Sequence, residues 1–222
     1  MCGRYSLKSD PSKIAKEFNL PEQETQKIKP HYNIAPSQPV VALVREQTVK
    51  LEFLNWGLVP SWSKDPSIGS RMINARQETL AEKPSFRGLL KSRRCLVLAD
   101  GFYEWKAVGK RKQPHYIRLK SQDPFGFASL WSEWMSPDGS EIRSCTIITT
   151  EPNDLMREIH SRMPVILPRR ARDAWLDPSI AQKEELLDLL KPYSAEEMEA
   201  FPVSTFVNSP ANDTSACFRP TS

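Results

Sequence analysis

The chain has 222 residues, 39% of them hydrophobic and 26% charged, with a formal net charge of +4. That length can bury a substantial core, and no run of eighteen apolar residues offers a membrane span. The start Met-Cys-Gly-Arg-Tyr lacks an apolar signal-peptide segment, Cys2, Cys95, Cys145 and Cys217 form no Cys-x-x-Cys, and the histidines fall in no metal-ligand spacing. The expectations are a reducing, cytoplasmic setting (nucleoid-associated in a bacterium), no metal, no cofactor and no membrane.

Residues 3–7 predict a short strand. Residues 12–18 have helical spacing at Ile14, Ala15 and Phe18, behind Asp10-Pro11 as cap and first-turn proline. Residues 30–39, with Pro30, Pro36 and Pro39, are too proline-bound for a helix and predict a rigid loop. Apolar runs at 40–45 and 49–54 predict a hairpin around Glu46-Gln47. A loop runs to 70, then a short strand or turn at 72–76 and a helix at 79–90 interrupted at Pro84. Residues 95–99 are a continuous apolar run of the buried-strand kind. Asp100-Gly101 turns the chain, and 102–108, 115–119, 126–131 and 143–150 continue the sheet. Residues 152–159 give one or two helical turns capped by Thr150, 165–167 are extended, and 169–175 and 180–190 are helical. Residues 201–206 return as a last strand and 207–222 are loop. Many short strands with helices inserted and appended predict an α+β fold: a mixed, barrel-like sheet with flanking helices in a single domain.

The charge is unevenly spread. Between 83 and 120 eleven Lys/Arg stand against Asp100 and Glu104, whereas between 177 and 199 seven acids stand against Lys183 and Lys191. A basic middle suits a polyanion such as nucleic acid, and equally an ordinary solvated face.

Cys2 becomes the N-terminus if Met1 is removed. It then carries a thiol and a free α-amine on neighbouring carbons. Such an aminothiol condenses with an aldehyde through nitrogen and closes a thiazolidine through sulfur. The reference pKa values, about 7.7–8.0 for the amine and about 8.5 for the thiol, leave both partly reactive near neutral pH. Taken alone, Met-Cys reads as the accident of a fraying terminus.

Further along, polar groups sit in apolar settings on loops and strand ends, where chemistry concentrates. Glu104 lies among the aromatics Phe102, Tyr103 and Trp105. On a buried face it is desolvated and suited to carrying a proton; the alternative is a solvated face. His160 reads equally as an acid/base or as the closing residue of a helix. Asn74 and Arg76 share a strand face, so Arg76 can hold a phosphate while Asn74 bonds a sugar or base, or Arg76 pairs with Glu78. Trp62, between two serines, offers a stacking platform. Trp56 and Trp105 read as core, and Cys95 and Cys145 as inert packing.

Six stretches occur in order: Met1-Cys2-Gly3-Arg4-Tyr5, Tyr32-Asn33-Ile34-Ala35-Pro36, Trp56-Gly57-Leu58-Val59-Pro60-Ser61-Trp62, Ile73-Asn74-Ala75-Arg76, Gly101-Phe102-Tyr103-Glu104-Trp105 and Ile159-His160-Ser161-Arg162-Met163-Pro164. Together they resemble the SOS response-associated peptidase family over nearly the whole chain, and Val207-Asn208-Ser209-Pro210 with Asn212-Asp213 extends the likeness. Ser63 stands where some members carry a second tryptophan. The resemblance implies an abasic-site sensor for single-stranded DNA and replication-fork junctions, a monomer that frees its own Cys2 and cross-links through a thiazolidine, with weak lyase activity. It implies Cys2, Asn74, Glu104 and His160 as catalytic residues. Arg4, Asn33, Pro36, Trp62, Arg76 and Arg162 are the implied DNA contacts. A thiol peptidase acting on other proteins and a non-catalytic reader of modified DNA are the competing readings.

Overall fold

The apolar run at 95–99 becomes one stave of a closed barrel. In the computed structural model, which describes residues 2–221, the elements in chain order are β1 (Tyr5–Leu7), α1 (Pro11–Phe18), α2 (Glu22–Thr25), β2 (His31–Ile34), β3 (Pro39–Arg45), β4 (Val49–Trp56), β5 (Asn74–Arg76), α3 (Pro84–Arg87), α4 (Leu89–Ser92), β6 (Arg94–Ala99), β7 (Gly101–Val108), β8 (Arg111–Leu119), β9 (Phe125–Met135), β10 (Glu141–Thr150), α5 (Asp154–Arg157), β11 (Met163–Pro164), β12 (Ile166–Leu167), α6 (Arg169–Leu176), α7 (Lys183–Asp188) and β13 (Met198–Pro202). The barrel runs β4–β3–β6–β9–β10, and β10 returns beside β4 in parallel at Ser144↔Asn55 and Cys145↔Trp56. That contact, two residues long, closes the sheet on itself. Strand β6 is buried at every position because its outer side is also covered: the indole of Trp175 on α6 donates to the Cys95 carbonyl at 3.0 Å. That double burial is why its sequence does not alternate.

A second, all-antiparallel sheet, β13–β8–β7–β1–β2, leans on the barrel. The joint is aromatic. The Tyr5 ring lies 5.3 Å from that of Trp56 and 5.7 Å from that of Phe127, and Phe102 meets Phe127 edge-on at 6.1 Å. Phe127→Ala would open a cavity at this joint, at a cost of about 3–5 kcal/mol. Gly101 is required where β7 begins, since a Cβ there would lie 2.4 Å from the Tyr116 ring. Helices α1 and α6 are tied together by the buried Glu17, whose carboxylate takes Arg169 and Arg172, the latter at 2.9 Å. Burial lowers the Arg172 guanidinium to about 10, reinforced by the neighbouring charge of Arg169.

The α+β, barrel-like expectation holds, while several local expectations need correction. Residues 31–34 are a strand and not part of a loop: β1 pairs with them, and the Asp213 carboxylate accepts from the amides of Tyr32 and Asn33. The flanking Pro30 and Pro36 only bracket that strand. Pro84 opens α3 at its first turn rather than interrupting a longer helix. The cap of α5 is Asn153, which accepts from Met156, and not Thr150. The last strand comes earlier than predicted, at Met198–Pro202, and α7 is only six residues long.

Candidate functional site

The N-terminal segment enters β1 from a buried position. Cys2 is fully buried, and its carbonyl accepts from Asn74 Nδ2 at 2.8 Å. Asn74 is held in place because β5 pairs in parallel with β10 at Ile147↔Asn74. The other amide atom, Asn74 Oδ1, is buried and has no hydrogen-bond partner among the described residues. Glu104 arrives from β7. It shares a strand face with Phe102; Phe102 points into the aromatic joint, and Glu104, 4% exposed, continues that face to the rim. His160 follows α5, with its Nε2 4.0 Å from Glu104 Oε1. The Arg162 amide donates to His160 Nδ1 at 3.0 Å. The Arg162 carbonyl lies 3.3 Å from the same Nδ1, so this residue's backbone fixes the ring and leaves Nε2 facing Glu104.

The electrostatics at Cys2 are tilted against the thiolate. Burial pushes the thiol well above its ordinary range, the Glu104 charge pushes it further, and a backbone hydrogen bond from Arg4 pulls partly back. The sulfur is therefore a neutral thiol at neutral pH. It needs a base to become a nucleophile.

A second cluster adjoins the first through Arg4. Its Nη1 donates to Asn33 Oδ1 at 2.8 Å and to the Val207 carbonyl at 2.9 Å, and its guanidinium lies 5.8 Å from the centre of the Trp105 ring. Asn33, 1% exposed, gives its amide protons to the carbonyls of Val207, Ser209 and Asn212. Asp213 reaches back to His31 at 2.7 Å. Trp105 is half-buried at this rim, which corrects its reading as a core residue; its indole donates to Asn208 Oδ1 at 2.8 Å. The C-terminal segment 207–213 is thus a wall of the site. Asn208 and Asp213 enter the sequence reading only through the family likeness, because their partners lie more than a hundred residues away.

The remaining site residues are placed as follows. Arg162 is paired through both terminal nitrogens with Glu78 and donates to the Thr149 carbonyl at 2.6 Å. The ion pair considered for Arg76 with Glu78 is thus made by Arg162, while Arg76 is exposed at the end of β5. Pro36 is half-buried beyond β2. Trp62 is 61% exposed on a loop fastened where the Trp134 indole donates to the Ser63 carbonyl at 2.7 Å. Cys95 and Cys145 are fully buried in the barrel.

Comparison with known proteins converges on one family. The profile of the family described as SOS response associated peptidase (SRAP) matches residues 1–210. The abasic site processing protein YoqW of Bacillus subtilis is 49% identical over 219 residues, covering 96% of each chain. The abasic site processing protein HMCES of Gallus gallus is 33% identical over 263 residues, covering 99% of this chain and 78% of its own. Among solved structures, a protein from Bacteroides thetaiotaomicron superposes with a TM-score of 0.88 at 29% identity, over 99% of this chain and all of its own. A phage-related protein of Bordetella bronchiseptica gives 0.72 at 29% identity, over 91% of this chain and 94% of its own. With this likeness spanning nearly the whole sequence, the chain belongs to the SRAP family.

Proposed function

We propose that this protein processes abasic sites in single-stranded DNA by cross-linking to them through Cys2. The observation that carries the reading is the arrangement at the head of β1: the Cys2 carbonyl held by Asn74, beside the Glu104–His160 pair. Met1 lies outside the described residues, and its removal is part of the proposal. Hydrolysis of the Met1–Cys2 peptide bond, promoted by the same groups, frees the α-amine.

The chemistry then runs in two steps. The amine nitrogen attacks the aldehyde carbon of the ring-opened deoxyribose. A proton delivered to the resulting hydroxyl lets water leave, giving an imine. The Cys2 sulfur next adds to the imine carbon, its proton passing through the base to the imine nitrogen, and the five-membered ring closes. One water is released overall. Nitrogen reacts first because the ring can close only onto the imine carbon, and sulfur follows when the base takes its proton. In this reading Glu104 takes that role, and His160, whose Nε2 lies 4.0 Å from Glu104 Oε1, serves the departing hydroxyl. The imine also acidifies the neighbouring sugar carbon, so slow β-elimination of the 3′ phosphate is a side reaction that ring closure suppresses. Single strands and unpaired junctions are the substrates, since a stacked duplex withholds the sugar from a polypeptide terminus.

The test is a denaturing gel of the protein mixed with an abasic single-stranded oligonucleotide, together with the intact mass of the protein. A slow-migrating species that disappears in Cys2→Ala, from a protein lacking one methionine, is the expected result. Cleavage of unrelated peptides without a shifted band would favour a thiol peptidase. A complex lost on denaturation would favour a non-catalytic reader of modified DNA.

A further inference from the structure

The strand that carries Glu104 does not stop at the site. Strands β7 and β8 stay paired out to Val108↔Arg111, around a turn containing Gly109 at φ +58°. Their neighbours end sooner. Strand β1 pairs with β7 only at Gly101 and Phe102, with one further bond from Tyr103 to the Arg4 carbonyl, and β13 pairs with β8 as far as His115, the Val203 amide then bonding the Pro114 carbonyl and the Gln113 side chain the Val203 carbonyl. Residues 106–112 are therefore a two-stranded ribbon projecting beyond the sheet, exposed from Ala107 to Lys112. The ribbon carries Lys106, Lys110, Arg111 and Lys112, and no acid occurs between residues 105 and 114.

The register fixes where those charges point. Glu104, Lys106 and Val108 alternate onto one face of β7, and their cross-strand partners His115, Gln113 and Arg111 share it. Lys106 and Arg111 thus continue the face of Glu104 outward, at about 7 and about 13 Å along the strand. Lys106 has an ion pair at 3.9 Å with the exposed Glu158. An unsupported two-stranded ribbon is marginal in water, and clustered like charges repel, so stability gives no reason for this composition. A polyanion lying along the ribbon removes the repulsion.

We propose that residues 106–112 form a basic finger that holds the phosphate backbone of the DNA strand running away from the abasic nucleotide. The inference rests on the abasic reading and adds a docking surface to it. It gives a role to Lys106, Lys110, Arg111 and Lys112, four of the eleven Lys/Arg of the basic middle, which the chemistry at Cys2 leaves unexplained.

The test compares the wild-type protein with Lys110→Gln/Arg111→Gln/Lys112→Gln, all at the exposed tip. A second triple variant, Lys16→Gln/Lys83→Gln/Lys183→Gln, removes the same charge from other exposed positions. Equilibrium binding to an undamaged, labelled single-stranded oligonucleotide is measured against salt. The finger variant is expected to bind about tenfold more weakly at low salt, with a log–log salt slope flatter by about 2, from roughly 0.7 per lost contact on single strands. The control variant should keep the wild-type slope. Cross-linking to a long abasic oligonucleotide should slow in parallel, while capture of a small free aldehyde by Cys2 stays unchanged. An unchanged slope, or equal losses in both triple variants, overturns the finger. Absence of any Cys2-dependent cross-link in the wild type overturns the abasic reading, and a flatter binding slope in the finger variant is still detected.

Discussion

Cys2 and Cys145 make the instructive pair. Both are fully buried, and in both burial pushes the thiol above its ordinary range. They differ in company. Cys145 sits in the barrel, on a strand paired with β9 and β4, and desolvation accounts for its shift. Cys2 sits where the open sheet meets the barrel, its carbonyl on Asn74 and a carboxylate–imidazole pair nearby. Burial alone makes an inert sulfur; under the proposed function, burial beside a carboxylate and an imidazole makes one whose reactivity is under control.

The sharpest way to break this comparison is Glu104→Gln, which keeps shape and removes the base. Single-turnover cross-linking should fall by roughly 10²–10⁴-fold, the range of a lost general acid/base, with the melting temperature little changed. A fall under tenfold would move the base role elsewhere. Next comes Asn33→Ala. It leaves the carbonyls of Val207, Ser209 and Asn212 and the Arg4 guanidinium without this partner, and should cost about 2–4 kcal/mol, seen as a melting point lower by roughly 5–15 °C. Cys145→Ser puts a hydroxyl into the barrel at a cost of about 1–3 kcal/mol. Its cross-linking rate at a temperature where it is folded should match the wild type.

The smallest effect sharpens the pair most directly. Since the Cys2 thiol is raised, its thiolate share at any given pH is below that of a free cysteine. Alkylation of the full-length protein should therefore lag a free thiol across the neutral range and climb steadily with pH, with no plateau near the ordinary thiol value. Glu104 adds to the shift, so Glu104→Gln should speed alkylation of Cys2 and leave Cys145 unaffected. Peptide mapping after timed alkylation reads both sites.

The barrel is legible because its staves are local signals. Buried runs such as Cys95–Ala99 and the hairpin of β3 and β4 announce themselves by composition. What sequence reasoning misses is held by distant partners. The proline-bracketed residues 31–34 become a strand through β1 and a carboxylate some 180 positions away. Trp105 reads as core until the side chain of Asn208, 103 positions on, is seen to take its indole proton. Arg162 reads as a phosphate grip from its charge, and periodicity cannot reveal that Glu78 holds it. At the site, residue types suggest the chemistry of Cys2, Glu104 and His160, but only the fold places the latter two 4.0 Å apart.

The segment fastened over Arg4 and Asn33 has a consequence for synthesis. Val203 bridges to Pro220, the Thr221 amide bonds the Pro202 carbonyl, and residues 207–213 supply the oxygens that secure the head of the polypeptide. During translation the first residues emerge long before these oxygens exist. That corner of the fold is completed only when residues 207–213 have left the ribosome, so a nascent chain cannot hold Arg4 and Asn33 as the finished protein does until that stretch has been made.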